Sequence, residues 1–122
     1  KDTRAVAQIA EEHGKRFEII DAVLSANERV RRRMVPKIDA AFGGLAGKTV
    51  ALLGLAFKGD TDDMRESPAI AIVEGLLAAG ATVRAFDPAA MDQARPLLPK
   101  SVVYCSDPYD AAQGADGVVI ST

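Results

Sequence analysis

Two basic side chains, Lys58 and Arg65, lie in a loop where they could bind a phosphate or another anion. The loop begins with Gly-Leu-Ala-Phe-Lys-Gly at residues 54–59, which resembles a dinucleotide-binding fingerprint with alanine in place of the second glycine. Such a fingerprint normally leads directly into a helix, whose N-terminus receives the pyrophosphate. Here residues 60–67 intervene before Pro68, and three aspartates among them would repel a pyrophosphate. The pattern therefore disfavours an NAD site formed by this loop alone.

The charged residues of the loop also have purely structural interpretations. The four acidic residues could simply favour the N-terminus of the helix that follows, namely Asp60, Asp62, Asp63 and Glu66. Arg65 could form a local ion pair with Asp62 or Asp63, and Lys58 could be an ordinary surface lysine. Taken residue by residue, the chemistry of the loop stays open.

Three further residues have reactive or ligating side chains. Asp87 ends an apolar run where a dinucleotide-binding unit would place a ribose-binding acid, but aspartate before proline also commonly forms a turn. Cys105 lies in an apolar segment and is expected to be a buried structural thiol. A single cysteine excludes an internal disulfide, and the only histidine, His13, has no second ligand at a metal-binding spacing. We therefore predict no metal site.

The segments around the loop predict an α/β fold with a doubly wound parallel sheet, Rossmann-like in its alternation of strands and helices. Four short apolar runs have the composition of strands buried on both faces, at residues 49–55, 82–88, 102–105 and 117–121. Helices are expected between them, and the first should begin at Pro68 with Ser67 as its N-cap. Because the chain stops at the end of a strand, we interpret the sequence as truncated.

The residues before a glycine-rich joint at 43–47 have helical periodicity. A short helix should break near His13, and a longer one should run from Phe17 to Phe42 with an irregularity at Pro36. Its apolar stripe comprises Ile20, Val23, Leu24, Asn27, Val30, Met34, Ile38 and Ala41. This stripe must pack on the next domain, on another domain or on a second copy. We predict a helical dimerisation segment at 1–47 and a Rossmann-like domain at 48–122.

The overall composition excludes several classes of protein. The formal net charge of −2 over 122 residues lacks the basic excess of a nucleic-acid-binding protein. The arginines at positions 29 and 31–33 are interpreted as a solvated helix face. No apolar run approaches the roughly 18–20 residues of a membrane helix, and the N-terminus does not resemble a secretory signal. We expect a soluble cytoplasmic protein that binds neither nucleic acid nor membranes.

The whole loop, Gly-Leu-Ala-Phe-Lys-Gly-Asp-Thr-Asp-Asp-Met-Arg-Glu-Ser-Pro at residues 54–68, resembles the signature of the UDP-glucose/GDP-mannose dehydrogenase family. The resemblance covers nearly the whole chain. Residues 17–42 resemble the family's central helix, and residues 48–122 resemble its C-terminal nucleotide-sugar domain, a degenerate Rossmann-like unit that carries no NAD of its own. Residues 1–3 look like the end of the family's Cys-x-Pro-Lys-Asp motif, whose cysteine would fall three positions before Lys1.

The resemblance implies roles for five residues. Phe57 and Lys58 would contact the nucleotide sugar. Arg65 and Lys1 would lie against NAD held by another domain. Asp2 would sit beside the catalytic cysteine and would orient the attacking water or help to stabilise an oxyanion.

The implied reaction is the NAD-dependent oxidation of UDP-glucose to UDP-glucuronate, a step in polysaccharide biosynthesis. Two hydride transfers would pass through a thiohemiacetal and a thioester on the cysteine, and water would hydrolyse the thioester. The family resemblance also implies a homodimer formed through the central helix. The alternatives are a GDP-mannose or UDP-N-acetylmannosamine dehydrogenase, or a non-catalytic nucleotide-binding module.

Overall fold

The computed structural model describes residues 2–122. Its elements in chain order are α1 (Asp2–Glu12), α2 (Glu18–Phe42), β1 (Thr49–Leu53), α3 (Pro68–Ala78), β2 (Thr82–Phe86), α4 (Met91–Ala94), β3 (Val103–Tyr104), α5 (Pro108–Ala112) and β4 (Gly117–Ile120). The chain divides into two compact units, one ending at Arg33 and the other running from Met34 to Thr122. Among residues 2–122, every helix is too short or too polar to span a bilayer.

The first unit consists of α1 and the beginning of α2. Helix α1 ends next to His13, whose backbone N–H still donates to the carbonyl of Ile9, and Gly14 then adopts a φ of 65°. Helix α2 runs unbroken through Pro36, where the sequence predicted an irregularity. The proline removes one backbone donor at an exposed position, and this loss does not end the helix.

The second unit is a four-stranded parallel sheet with strand order β3-β2-β1-β4. The first two connections step outward from β1 in one direction, and the third returns across the sheet to the other side of β1. This reversal makes the sheet doubly wound and confirms the predicted fold class. The two central strands are five residues long, and β3 is only Val103–Tyr104, shorter than the apolar runs suggested.

Both faces of the central strand β1 are covered, which explains its continuous apolar sequence. The prediction of strands buried on both faces is wrong for β3 and β4, where Val103, Val118 and Ile120 are exposed. On one face Val50 and Leu52 belong to the main core, together with the α3 side chains of Ile72, Val73 and Leu76. On the opposite face Ala51 packs in a smaller core with Cys105 and Ala111. The alternation along β1 is the period of two expected for a strand. Burial raises the pKa of the Cys105 thiol, as expected for a structural cysteine.

Helix α3 begins as its sequence predicts. The Ser67 hydroxyl accepts a hydrogen bond from the Ala69 N–H at 3.1 Å, and Pro68 occupies the first helical position. At the other end Gly80 adopts a φ of 88°, a conformation that glycine adopts without steric cost.

The last turns of α2 pack against the sheet of the second unit. Met34, Val35 and Phe42 contact the main core, and Ile38 is buried within it. Two glycines make room for this helix. A Cβ atom at Gly75 would lie 2.5 Å from a methyl group of Val35, and one at Gly117 would lie 2.5 Å from the Phe42 ring.

We predict that Gly75→Ala destabilises the protein, although alanine is the better helix former by about 1 kcal/mol. The new methyl group would meet the stiff, β-branched side chain of Val35, and such overpacking typically costs about 1–3 kcal/mol. Denaturant unfolding followed by circular dichroism measures the change. Gly59→Ala is the control, because nothing lies within 4 Å of its Cβ position. Equal stability of the two variants would contradict the proposed contact.

Candidate functional site

A cleft of about 360 Å³ opens at the carboxyl ends of β1 and β2. Its walls come from the ends of both strands and from the loops that follow them, with Lys58 and Asp87 among the charged residues. Thr122, which follows β4, completes one side. The cleft lies at the carboxyl edge of the sheet, beside the point between β1 and β4 where the strand order reverses, and open α/β sheets usually bind ligands at this edge.

Asp87 is buried at the base of this cleft, with an exposed fraction of 5%. Its Oδ2 atom accepts hydrogen bonds from the N–H groups of Leu55 at 2.7 Å and Ala56 at 3.1 Å. Its Oδ1 atom accepts from the N–H groups of Ala89 and Ala90, both at 2.8 Å. Burial acts to raise the pKa of Asp87, but the four backbone donors outweigh it and hold the pKa below its usual range.

These contacts decide between the two interpretations of Asp87. The bonds to Ala89 and Ala90 form the aspartate turn that the Asp-Pro sequence favours. Together with the bonds from Leu55 and Ala56, they engage both carboxylate oxygens with two backbone donors each, so Asp87 is poorly placed to accept a ribose hydroxyl. This second pair of bonds joins the loops after β1 and β2, and sequence analysis missed it because it links residues that are distant in the chain.

The loop at 54–67 is fixed at several further points. The Ser67 hydroxyl donates to the Leu55 carbonyl at 2.6 Å, and Met64 is buried beneath the loop. The Thr122 hydroxyl donates to the Ala56 carbonyl at 2.7 Å. Gly54, with a φ of 88°, allows this approach, because a Cβ atom there would lie 2.7 Å from the backbone of Thr122.

The two residues predicted to contact substrate lie at the start of the fixed loop. Lys58 is exposed and lines the cleft, and the Phe57 side chain is half-buried. The Phe57 N–H donates to the Asp63 carbonyl at 2.8 Å, which closes the loop on itself. The Thr61 hydroxyl donates to the Lys58 carbonyl, and Asp60 adopts the left-handed conformation that aspartate tolerates better than most residues. Lys58 is therefore an exposed cation on a backbone held by hydrogen bonds.

Arg65 lies beside a second concavity of about 300 Å³ and forms the local ion pair that was one of its predicted alternatives. Its Nε atom donates to Asp63 Oδ1 at 2.9 Å, and its Nη2 atom donates to Asp63 Oδ2 at 2.8 Å. The hydrogen bonds and the charge of Asp63 raise the Arg65 pKa further. The side chain keeps 68% of its surface exposed, so the pair orients the guanidinium without burying it.

Of the two predicted residues at the N-terminus, Asp2 belongs to the first unit. Asp2 is the first residue of α1, and its side chain is exposed. This position fits an acid that stabilises a helix N-terminus. The other predicted residue, Lys1, lies outside the described residues.

Two parts of the loop differ in whether they could contact the phosphates of a dinucleotide: the turn after β1 does not suit them, and Arg65 does. In the turn after β1, the amides of Leu55 and Ala56 are already engaged by Asp87 and offer no donor to a pyrophosphate. The exposed, oriented guanidinium of Arg65 does suit a phosphate oxygen presented from outside this unit.

Comparison with known proteins agrees with this architecture. Residues 51–122 match the family model described as the UDP binding domain of the UDP-glucose/GDP-mannose dehydrogenase family. The UDP-glucose 6-dehydrogenase YwqF of Bacillus subtilis is 43% identical over 122 residues, which is 100% of this chain and 28% of that protein. The UDP-glucose 6-dehydrogenase of Rhizobium meliloti is also 43% identical, over 100% of this chain and 28% of its own length.

Two solved structures share the fold. A UDP-glucose dehydrogenase from the hyperthermophilic archaeon Pyrobaculum islandicum has a TM-score of 0.86 and 41% identity, over 99% of this chain and 28% of that one. A GDP-mannose dehydrogenase from Pseudomonas aeruginosa, solved as a ternary complex, has a TM-score of 0.74 and 26% identity, over 98% and 29%. The chain thus spans about 28% of the length of the curated relatives it matches. With a family model matched over more than half of its length, the chain belongs to the UDP-glucose/GDP-mannose dehydrogenase family.

Proposed function

We propose that this chain is the nucleotide-sugar-binding part of an NAD-dependent UDP-glucose 6-dehydrogenase. The observation that carries the proposal is the position of Lys58, which lines the cleft at the carboxyl edge of a sheet matching a UDP binding domain. The whole enzyme would oxidise the C6 alcohol of UDP-glucose to the carboxylate of UDP-glucuronate in two hydride transfers. The cytoplasmic location expected from the sequence stays a prediction.

The choice of UDP-glucose over other nucleotide sugars is supported by the relatives. The UDP-glucose enzymes match this chain at 43% identity, whereas the GDP-mannose dehydrogenase matches at 26%. GDP-mannose therefore remains the second candidate substrate, and UDP-N-acetylmannosamine is another alternative. A non-catalytic nucleotide-binding module is the alternative from a different functional class, and turnover by the whole protein would exclude it.

Lys58 and Phe57 would bind the nucleotide sugar. The Lys58 ammonium is a mobile point charge, suited to a diphosphate or to the carboxylate that forms at C6. The half-buried ring of Phe57 gives the same loop an apolar surface for the uncharged part of the ligand. Because hydrogen bonds from Leu55, Ala56 and Phe57 fix the loop backbone, little ordering of the main chain would be needed on binding.

Arg65 and Lys1 would contact NAD held by another part of the enzyme. NAD, when bound, would accept the hydride in each oxidation. Arg65 would contribute position and charge, since Asp63 holds its planar group in one orientation at the surface. Bidentate contact with phosphate oxygens is the usual role of such a group.

Asp2 would act at the hydrolysis step. In the family motif it would follow the catalytic cysteine by four positions and so lie near the thioester carbon. A carboxylate there would orient the attacking water, or would hold a neighbouring lysine that stabilises the oxyanion. The competing interpretation is that Asp2 only stabilises the start of α1, where the structure places it.

The exposed apolar residues of α2 support a homodimer. Val23 and Val30 of the predicted stripe have exposed fractions of 42% and 59%. Met34 and Ile38 of the same stripe pack against the chain's own core instead. We propose that the stripe N-terminal to Met34 forms a two-fold interface with a second copy, in which Asn27 would set the register.

The first prediction for this function separates Lys58 from Arg65 in the whole enzyme. Lys58→Ala should lower kcat/KM for UDP-glucose by about 10- to 100-fold, because one charge-assisted contact with substrate is lost. Arg65→Ala should raise the KM for NAD by a similar factor and leave the KM for UDP-glucose unchanged. Steady-state kinetics with each substrate varied in turn measures both effects.

Lys100→Ala is the control, because Lys100 is an exposed lysine that does not line the cleft. If both variants shifted the same KM by the same factor, the separate roles would be wrong. If the wild-type enzyme oxidised GDP-mannose and not UDP-glucose, the proposed substrate would be wrong.

A second prediction concerns the role of Asp2. Asp2→Asn retains an oxygen that can accept from the start of α1, so a structural role predicts nearly normal turnover. The catalytic role predicts a loss in kcat of about 100-fold with little change in either KM. Mass spectrometry of the variant mixed with UDP-glucose and NAD should also reveal a covalent adduct on the cysteine. Full activity would exclude the catalytic role, and slow turnover without an adduct would assign Asp2 to an earlier step.

A third prediction tests the dimer. Val30→Glu should convert the protein to a monomer at micromolar concentration in sedimentation experiments, because it places a charge in an apolar interface. Ser25→Glu is the matched control, since the helical period places Ser25 on the opposite side of α2 from Val30. A wild-type monomer, or a Val30→Glu dimer as stable as the wild type, would contradict the interface.

A further inference from the structure

Four backbone N–H groups converge on a single buried carboxylate at the base of the cleft. Leu55 and Ala56 come from the loop after β1, and Ala89 and Ala90 come from the turn after β2. The donor–acceptor distances lie between 2.7 and 3.1 Å, and Asp87 is 5% exposed. The four amides therefore form a nest for one small anion, and the protein's own side chain fills it.

Converging amides of this kind are a general device for binding phosphate. In a sheet that binds a dinucleotide, the amides after the first strand receive the pyrophosphate, while the acid after the second strand receives the ribose hydroxyl. This chain keeps an acid after its second strand but directs both oxygens to backbone amides. The amides that would contact a pyrophosphate in a dinucleotide-binding sheet therefore contact the side chain of Asp87 in this chain.

We propose that Asp87 is a specificity-determining residue, an internal anion that occupies the phosphate nest and prevents ligand phosphates from binding there. A nucleotide that enters the adjoining cleft would then have its phosphates neutralised by the exposed Lys58 and not by the amides. The part of this inference that concerns nucleotide sugars rests on the proposed function. The statement that Asp87 occupies the four amides rests on the hydrogen bonds alone.

Removing the carboxylate should create an anion site. In the Asp87→Ala variant four amides, three of them in buried hydrogen bonds, lose their acceptor, so the thermal midpoint Tm should fall in chloride buffer. Inorganic phosphate and pyrophosphate should raise the Tm again in a saturable manner, at constant ionic strength, because they bind the folded state. Phosphorus NMR titration measures the same binding directly.

Asp116→Ala is the matched control. The Asp116 carboxylate accepts one backbone hydrogen bond, from Thr49 at 2.8 Å, at the opposite end of β1. Asp116→Ala therefore removes the same charge as Asp87→Ala but does not free a group of converging amides. We expect the Kd for phosphate to be at least about tenfold lower in Asp87→Ala than in Asp116→Ala, because the first substitution frees four converging amides for the anion and the second frees one.

A second variant covers the case in which Asp87→Ala is unfolded in chloride. Asp87→Asn keeps one oxygen acceptor but turns an amide group toward the remaining donors, so it should show a smaller phosphate-dependent rise in Tm. An unfolded Asp87→Ala should regain its helical circular dichroism when phosphate is added. The proposal fails if neither variant responds to phosphate more than Asp116→Ala does, or if the wild type binds phosphate as tightly as Asp87→Ala.

These measurements do not depend on dehydrogenase activity. An enzyme that failed to oxidise UDP-glucose, but whose Asp87→Ala variant bound phosphate as described, would contradict the proposed function and leave the role of Asp87 standing. The reverse result would contradict the role of Asp87 alone.

Discussion

The carboxylate of Asp87 holds together the part of the molecule on which the cleft depends. In an open parallel sheet, the loops at the carboxyl edge connect strands to different helices. They lack the regular backbone hydrogen bonds that hold neighbouring strands together. One ionised side chain supplies that fixation for two loops at once. It is effective because charge-assisted bonds to backbone amides remain favourable in a buried setting, where a carboxylate without partners would be expensive. Together with the hydrogen bonds from Ser67 and Thr122, this arrangement fixes the loop that carries Lys58.

The sheet and α2 form the support beneath that edge. Because both faces of β1 are covered, its position is set by packing as well as by hydrogen bonding to β2 and β4. The last turns of α2 belong to the second unit, and their side chains leave no room for a Cβ atom at Gly75 or Gly117. The long helix therefore has two kinds of surface along its length. One part packs within its own chain, and the part before Met34 has apolar residues exposed to solvent.

Most of the fold could be predicted from the sequence because its signals are local. Alternating apolar runs and helical segments gave the doubly wound sheet, and Ser67-Pro68 marked the start of α3 correctly. The site was less predictable for a physical reason. The contacts of Asp87 with the loop after β1, and of Thr122 with Ala56, join residues far apart in the chain. The Arg65–Asp63 pair could be anticipated only as one of two local alternatives.

Gly54 belongs to a short sequence motif, but the reason for a glycine there includes a contact with a residue that is distant in the chain. The first glycine of a dinucleotide fingerprint is normally explained by the tight turn after its strand. Here the φ of 88° and the backbone of Thr122 both exclude a side chain at position 54, whatever the cleft contains. Selection against substitution at Gly54 would therefore persist in a descendant that had lost its ligand altogether. In comparing homologues, an invariant glycine at this position is evidence of how the chain folds, and evidence of a bound nucleotide has to come from elsewhere.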